Sequence, residues 1–410
     1  MSKKRTIDAY FNMPKAKKPR NCDALTPADE STTLVIPQSP FTLLRILDCD
    51  VYRPRKFNRQ KPTGSRKVGT DDSATSTASA MSSRKADSPH PSYPFPIPSL
   101  PDALEAELAG PPARAARAIA DQPDLDLLYF EPYISRPAAQ QLFEFLRAEL
   151  PFYRVEYDIA RGGAKTRVRT PRWTTVFGLD DTAHFGTDPP SESGISDLQS
   201  SQGRIIDNRT GLPIPVGQPD ARRGGPGQQS QNQKGYTATP RPIPRCLDAL
   251  RISAEAATGC RFNFCLVNYY ASGADSISYH SDDERFLGAL PAIASFSLGA
   301  RRDFLMKHKP AESEPGGPKR DTGASNGALK LPLGSGDMVL MRGRTQANWL
   351  HSIPKRSGKN EWDGGRINIT FRRALARGGT ENYYQYNVGN GPVYKWDAAG
   401  QGMKPWTRAS

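Results

Sequence analysis

Past residue 260 the chain is written almost entirely in short β-patterned runs, and this limits the folds open to it. Residues 262–270, 276–282, 293–298, 302–307, 338–341 and 366–373 each read as a strand bounded by turn residues. Upstream, Leu125, Leu127 and Tyr129 alternate with polar neighbours as in a half-buried strand. Ser135 with Pro137 then opens a helix striped by Leu142, Phe143, Leu146 and Leu150, which Pro151 ends. A second helix is expected over 244–258, with Gly259 placed for a left-handed cap. Many short strands after two helices bury their apolar faces best as a sheet sandwich or barrel, so the predicted class is α+β with N-terminal helices packed on one side.

The whole chain is too lean to be packed. Of 410 residues only 37% are hydrophobic, and 35 Gly and 37 Pro interrupt them. Residues 58–92 hold no aromatic side chain and are dominated by Ser, Thr, Lys, Arg, Pro and Gly, so they cannot bury enough apolar surface to offset their ordering entropy. Residues 187–235 have the same character and are expected as a disordered insertion within one domain. The predicted organisation is a disordered basic tail over 1–92, a domain over 93–380 and an aromatic C-terminal tail over 381–410. No run approaches the ~18 consecutive apolar residues of a membrane span, and no signal-peptide stretch follows the basic N-terminus. Five cysteines without a C-x-x-C pair exclude zinc-finger architecture and suit a reducing compartment, so a soluble intracellular protein is expected. The formal charge of +14 is uneven, because the first 92 residues carry 17 basic and 9 acidic side chains. Nucleic acid is the natural partner of such a chain, with a basic nuclear-import tail on a soluble protein as the plainer alternative.

Two of the five histidines stand in informative company. In His280-Ser281-Asp282 an imidazole and a carboxylate are two residues apart, and on a strand such positions project from one face. His351, far off in N-W-L-H-S-I-P, offers a third ligand. Two His and one carboxylate form the non-haem iron(II) site with three coordination positions open. The segment R-I-N-I-T-F-R sharpens this reading. Arg366, Asn368, Thr370 and Arg372 share one strand face while Ile367, Ile369 and Phe371 share the core face. Two inward guanidiniums are costly without an anion, and a dicarboxylate suits them because the Arg fork fits a carboxylate bidentately. Asn268 and Tyr270, again two apart, can hydrogen-bond the same ligand.

These motifs, with N-Y-Y-A-S-G-A-D-S-I-S-Y-H-S-D-D-E, I-A-S-F-S-L-G-A-R-R-D-F and P-R-W-T-T-V-F-G at 171–178, resemble the AlkB family of iron(II)- and 2-oxoglutarate-dependent nucleic-acid dealkylases, and most closely its eukaryotic nuclear DNA-repair branch. The likeness covers about 125–373 apart from the insertion. It implies a double-stranded β-helix, or jelly roll. It also implies His280, Asp282 and His351 as iron ligands and catalytic centre, and Asn268, Tyr270, Arg366, Asn368 and Arg372 as 2-oxoglutarate contacts. Arg366 would hold the distal carboxylate and Arg372 the end nearer iron. Asp283 and Glu284 match acidic positions beside the target base, where a carboxylate favours a base made cationic by methylation. Their plainer reading is a polar turn. The implied reaction consumes 2-oxoglutarate and dioxygen and removes N-methyl groups, as on 1-methyladenine and 3-methylcytosine, as formaldehyde. The pairing edge must be exposed, so the base is unpaired or flipped out. Its expected stacking partners are Phe177, Tyr236 and His280, with Tyr236 equally readable as a core residue.

A basic hairpin over 157–172 carries Arg161, Lys165, Arg167, Arg169 and Arg172 around Gly162 and Gly163, which suits phosphate contact or simply a solvated basic face. Its tip lacks the apolar finger of duplex-specialised relatives, so single-stranded or locally opened DNA is the expected substrate. In the tail, Lys4, Ile7, Tyr10 and Phe11 resemble the peptide that binds the PCNA sliding clamp, with Lys4 in place of the usual Gln, and K-A-K-K-P-R from Lys15 reads as a nuclear import signal. A nuclear, monomeric DNA-repair enzyme is the resulting expectation. The alternatives are an RNA demethylase on the same scaffold and a catalytically silent, replication-associated DNA-binding scaffold, which has no need of the ligand set or the two arginines.

Overall fold

The computed structural model describes residues 87–161, 164–186, 203–217, 235–309, 328–357 and 365–407. The clamp-like and import-like motifs of the tail lie outside the described residues. In chain order the elements are α1 (Asp102–Leu108), β1 (Arg117–Ile119), β2 (Leu127–Phe130), α2 (Arg136–Glu149), β3 (Glu156–Arg161), β4 (Ala164–Arg169), β5 (Trp173–Gly178), β6 (Ala183–Phe185), β7 (Ile205–Asp207), β8 (Pro213–Ile214) and α3 (Arg245–Thr258). There follow β9 (Phe264–Tyr270), β10 (Ile277–His280), a 3-10 turn (Arg285–Leu287), β11 (Ile293–Gly299), β12 (Arg302–His308), β13 (Leu329–Leu333), β14 (Met338–Met341), α4 (Thr345–Asn348), β15 (Trp349–Ile353), β16 (Arg366–Arg372), α5 (Arg377–Asn387), β17 (Tyr394–Asp397) and β18 (Gly402–Pro405).

The helix signals act as their chemistry dictates. Ser135 caps α2 by accepting from the Ala138 N–H, and Pro137 sits in the first turn, where its missing N–H costs nothing. Gly259 ends α3 at φ 69°, a left-handed conformation that a Cβ disfavours. The strands form two principal sheets, both antiparallel. Seven strands run in the order β1-β2-β14-β11-β16-β9-β5, and four in the order β10-β15-β12-β13.

Alternation divides the core between the two faces of the large sheet. Ile367, Ile369 and Phe371 of β16, with Val267 and Tyr269 of β9, cluster with Leu142, Phe143 and Leu146 of α2 and Cys246, Leu247 and Leu250 of α3. Leu266 and Tyr270 on the other face cluster with Phe304, Met306, Leu331, Trp349 and Ile353 of the smaller sheet. The polar row of β16 belongs to this second face, between the sheets. Removing each such Leu or Phe from water contributes about 1.5–3 kcal/mol, so both faces of β16 are pinned and its register is fixed.

Three expected boundaries move. Within the expected disordered insertion, 203–217 is ordered. There β6, β7 and β8 form a three-stranded sheet, and Ile205 and Ile214 pack with Leu179, Ala183 and Tyr236. Asp207 fixes the β7–β8 turn by accepting from the N–H groups of Arg209 and Thr210. Ordered chain also reaches back before 93, since the Ser88 N–H donates to the Ile97 carbonyl. The boundary at 380 falls inside α5, whose Tyr383 and Tyr384 are core residues. The C-terminal segment is therefore part of the domain: Trp396 of β17 packs edge-on against Tyr269 and under the Arg147 guanidinium.

Candidate metal and cosubstrate site

β10 and β15 pair antiparallel with His280 directly opposite His351, and their rings stand 4.2 Å apart between centroids. Asp282 lies two residues past the end of β10, and one ligand atom from each of the three lies within 4.8 Å of the others. The carboxylate is aimed by its backbone, because the Asp282 N–H donates to Gln346 Oε1 at 2.9 Å. Gln346 belongs to α4, the turn immediately before the strand of His351, so one buried amide ties the two ligand-bearing segments together. Lys309 adds a second tie, donating to the Gln346 carbonyl and pairing with Asp283 at 2.6 Å.

The protonation states suit a cation. Burial, opposed by the Asp282 charge, depresses the His280 pKa. Burial and then the His280 charge push His351 down to about 3, so its ring is neutral at neutral pH. His280 Nδ1 lies 2.9 Å from the Ser278 carbonyl, which can only accept, so this nitrogen carries the proton and Nε2 keeps its lone pair for a metal. Burial would raise the Asp282 pKa, but Arg372 and the two imidazoles hold it below the usual carboxylate range. Two imidazoles and one carboxylate match the ligand chemistry of iron(II) with positions left open.

Beside this trio lies the polar row of β16, with Arg366 opposite Tyr270 and Asn368 opposite Asn268. Arg366 is 1% exposed, donates through Nη2 to Ser297 Oγ, lies 5.3 Å from the Tyr270 ring centroid, and leaves Nε and Nη1 without a partner. Burial, with Arg302 nearby, pushes its pKa down to about 10. Arg372 gives Nη2 to Asp282 Oδ2 at 2.9 Å and likewise leaves Nε and Nη1 unpartnered. Buried guanidinium hydrogens without acceptors are costly. Two such forks on one strand face, one of them bonded to Asp282 of the trio, are donors that a dicarboxylate would satisfy. Asn368 spends its amide hydrogens on Ser295 Oγ and the Phe296 carbonyl.

The expected substrate contacts divide. Phe177 is fully buried on the helix side of the large sheet, opposite Cys265 in the register and edge-on to Tyr93, so it does not face the site. Tyr236 is a core residue of the small cluster, with its hydroxyl donating to Asp180 Oδ2. Asp283 points outward to Lys309, whereas Glu284 turns in. Its carboxyl accepts from the Tyr383 hydroxyl at 2.7 Å, and burial together with the Asp282 charge raises its pKa to about 7. The basic hairpin is the antiparallel pair β3–β4. Arg167 and Arg169 are exposed there, but both clasp Glu156, at 2.7 and 3.0 Å. Arg172, expected on phosphate, turns inward instead and donates to Asn268 Oδ1 at 2.8 Å. Gln346 and Tyr383 are site-building residues that the motifs did not reveal, and Arg172, expected on phosphate, is a third with a different role.

The profile of the 2OG-Fe(II) oxygenase superfamily matches residues 126–372. DNA oxidative demethylase ALKBH2 of Arabidopsis thaliana is 39% identical over 143 residues, which are 33% of this chain and 44% of that protein. Its Homo sapiens namesake is 38% identical over 141 residues, 34% of this chain and 51% of the relative. The alpha-ketoglutarate-dependent dioxygenase alkB homolog 3 of Homo sapiens is 41% identical over 126 residues, covering 31% of this chain and 41% of the relative. The chain thus spans about half the length of the curated relatives it matches. No helix among the described residues is long and apolar enough to cross a membrane. With 2-oxoglutarate and dioxygen as the cosubstrates and iron(II) as the metal that this trio and paired forks suit, the chain belongs to the 2OG-Fe(II) oxygenase superfamily.

Proposed function

We propose that this chain removes N-methyl groups oxidatively from DNA bases such as 1-methyladenine and 3-methylcytosine, on a double-stranded β-helix with the helices covering one side. The observation that carries the reading is the pair of buried, unsatisfied guanidiniums beside the two-His, one-carboxylate trio. His280, Asp282 and His351 would hold iron(II), which supplies dioxygen activation coupled to conversion of 2-oxoglutarate to succinate and carbon dioxide. Arg366 anchors the distal carboxylate, Arg372 orients Asp282 and the near end of the ligand, and Asn268, Tyr270 and Asn368 shape the walls. Glu284 lies where a carboxyl group favours a base made cationic by methylation. The ring of His280, half-buried at the rim of the trio, remains the proposed stacking surface for that base. The oxidised methyl group leaves as formaldehyde and restores the pairing edge.

The β3–β4 hairpin is the proposed phosphate contact. Its two outward arginines share one Glu156, so the pair keeps a net positive charge. Replacing Arg167 and Arg169 with Gln is expected to weaken binding on all sequences alike and to flatten the log–log salt dependence by about 0.7 per lost contact on single strands. Selectivity for the methylated base should persist, because it resides at Glu284 and His280. With no apolar wedge at the hairpin tip, single-stranded DNA is the preferred form, since a duplex demands a few kcal/mol of unstacking. Matched oligonucleotides with one 3-methylcytosine, single-stranded, paired, or as RNA, decide this. Faster repair of the duplex would overturn the hairpin reading, and faster action on RNA would favour the RNA demethylase.

The DNA oxidative demethylase names of the relatives and the basic tail support a nuclear enzyme that meets the PCNA clamp through residues 4–11. Tyr10→Ala with Phe11→Ala is expected to abolish capture by immobilised PCNA while sparing turnover on short oligonucleotides. Undiminished capture would remove the motif from the account.

A further inference from the structure

Helix α5 begins five residues past the end of the family match, yet it builds one wall of the site. Gly379 lets it sit close, because a Cβ there would overlap the Phe286 ring. The helix is fastened along its length: Thr380 Oγ1 donates to Asp180, Glu381 accepts the N–H groups of Thr237 and Ala238, and the Tyr384 hydroxyl donates to the Gly178 carbonyl. Tyr383 between them is held edge-on by Phe264 and Phe286, with ring centroids 5.5 Å away in each case. It therefore has little freedom of its own.

Its two remaining contacts are with charged groups of the site. The Tyr383 ring lies 5.1 Å from the Arg372 guanidinium carbon, and its hydroxyl donates to Glu284 Oε1. Arg372 keeps Nε and Nη1 unpartnered and Glu284 keeps Oε2 unpartnered, although both groups touch the same Tyr383 side chain. A buried carboxyl and a buried guanidinium that share a neighbour gain by pairing, and Arg372, bonded to Asp282 through Nη2, still has two nitrogens to offer. Among the described residues no bond joins them, and Tyr383 is hydrogen-bonded to one and lies with its ring beside the other.

We propose that Tyr383 is a positioning residue that holds Glu284 away from Arg372, keeping the free Arg372 hydrogens available to a carboxylate ligand in the site. The inference rests on the cosubstrate reading of Arg372 given above. Without the hydroxyl, Glu284 is released and can swing onto Arg372, and 2-oxoglutarate must then displace an internal carboxylate to bind.

The test is calorimetric titration of 2-oxoglutarate into the Mn(II)-loaded full chain. Tyr383→Phe keeps the ring and its packing but frees Glu284, so affinity should fall about tenfold, as for loss of one charge-assisted hydrogen bond. Glu284→Ala alone should bind at least as tightly as wild type, and the double variant should recover wild-type affinity. A merely structural role for Tyr383 gives no such recovery. Unchanged affinity in Tyr383→Phe, failure of the double variant to recover, or weakened binding in Glu284→Ala would each overturn the inference. Failure of the wild-type protein itself to bind 2-oxoglutarate would instead sink the cosubstrate reading on which it rests.

Discussion

Replacing His280 with Ala is expected to abolish iron-dependent turnover, a loss of at least about 1000-fold, while barely moving the unfolding temperature. The ring is half-buried and its one hydrogen bond is to a local carbonyl, so little packing is lost. Asp282→Ala should be equally inactive but less stable. Arg372 and Asp282 are 3% and 5% exposed, and removing the carboxylate strands a buried guanidinium at a cost of about 3–5 kcal/mol. Thermal unfolding beside a formaldehyde assay separates the two effects. Near-normal turnover in either variant would refute the metal assignment.

Arg366→Met is expected to raise the 2-oxoglutarate concentration for half-maximal turnover about 100-fold, since a desolvated ionic contact contributes several kcal/mol. Stability should move the other way or not at all. Among protein groups Arg366 is held by Ser297 Oγ and by the Tyr270 ring, while Nε and Nη1 find no acceptor, so an apolar replacement relieves a buried, incompletely paired charge at the loss of those two contacts. An unchanged cosubstrate requirement, or a fall in unfolding temperature as the main effect, would reject the role.

Legibility in the sequence followed periodicity. R-I-N-I-T-F-R could be read because its faces differ chemically, apolar towards the helices and polar between the sheets, and that contrast fixes parity. Phe177 could not, because both faces of β5 are buried and only its register with β9, Phe177 opposite Cys265, turns the ring away from the site. H-x-D pointed to two members of the candidate trio, but for an incomplete reason. β10 stops at His280, and Asp282 converges because Gln346, 64 residues later, accepts its N–H. Such a tertiary bond has no local signal. The ordered 203–217 segment was hidden by its length: two isoleucines and a five-residue turn are too little apolar surface to stand alone, and they order only against Leu179, Ala183 and Tyr236. Tyr383 was obscured by the Gly pair that opens α5, which lowers helix propensity while allowing the close approach to Phe286.

The central claim is that one site couples 2-oxoglutarate oxidation to base demethylation, and its most direct measurement uses single-stranded DNA bearing 3-methylcytosine. With iron(II), 2-oxoglutarate and dioxygen, the wild-type chain should release formaldehyde in step with lesion loss and succinate formation, and omission of iron or the His280→Ala substitution should abolish all three. Lesion-dependent formaldehyde that persists without 2-oxoglutarate, or succinate formation with no loss of the methyl group from DNA, would contradict the account.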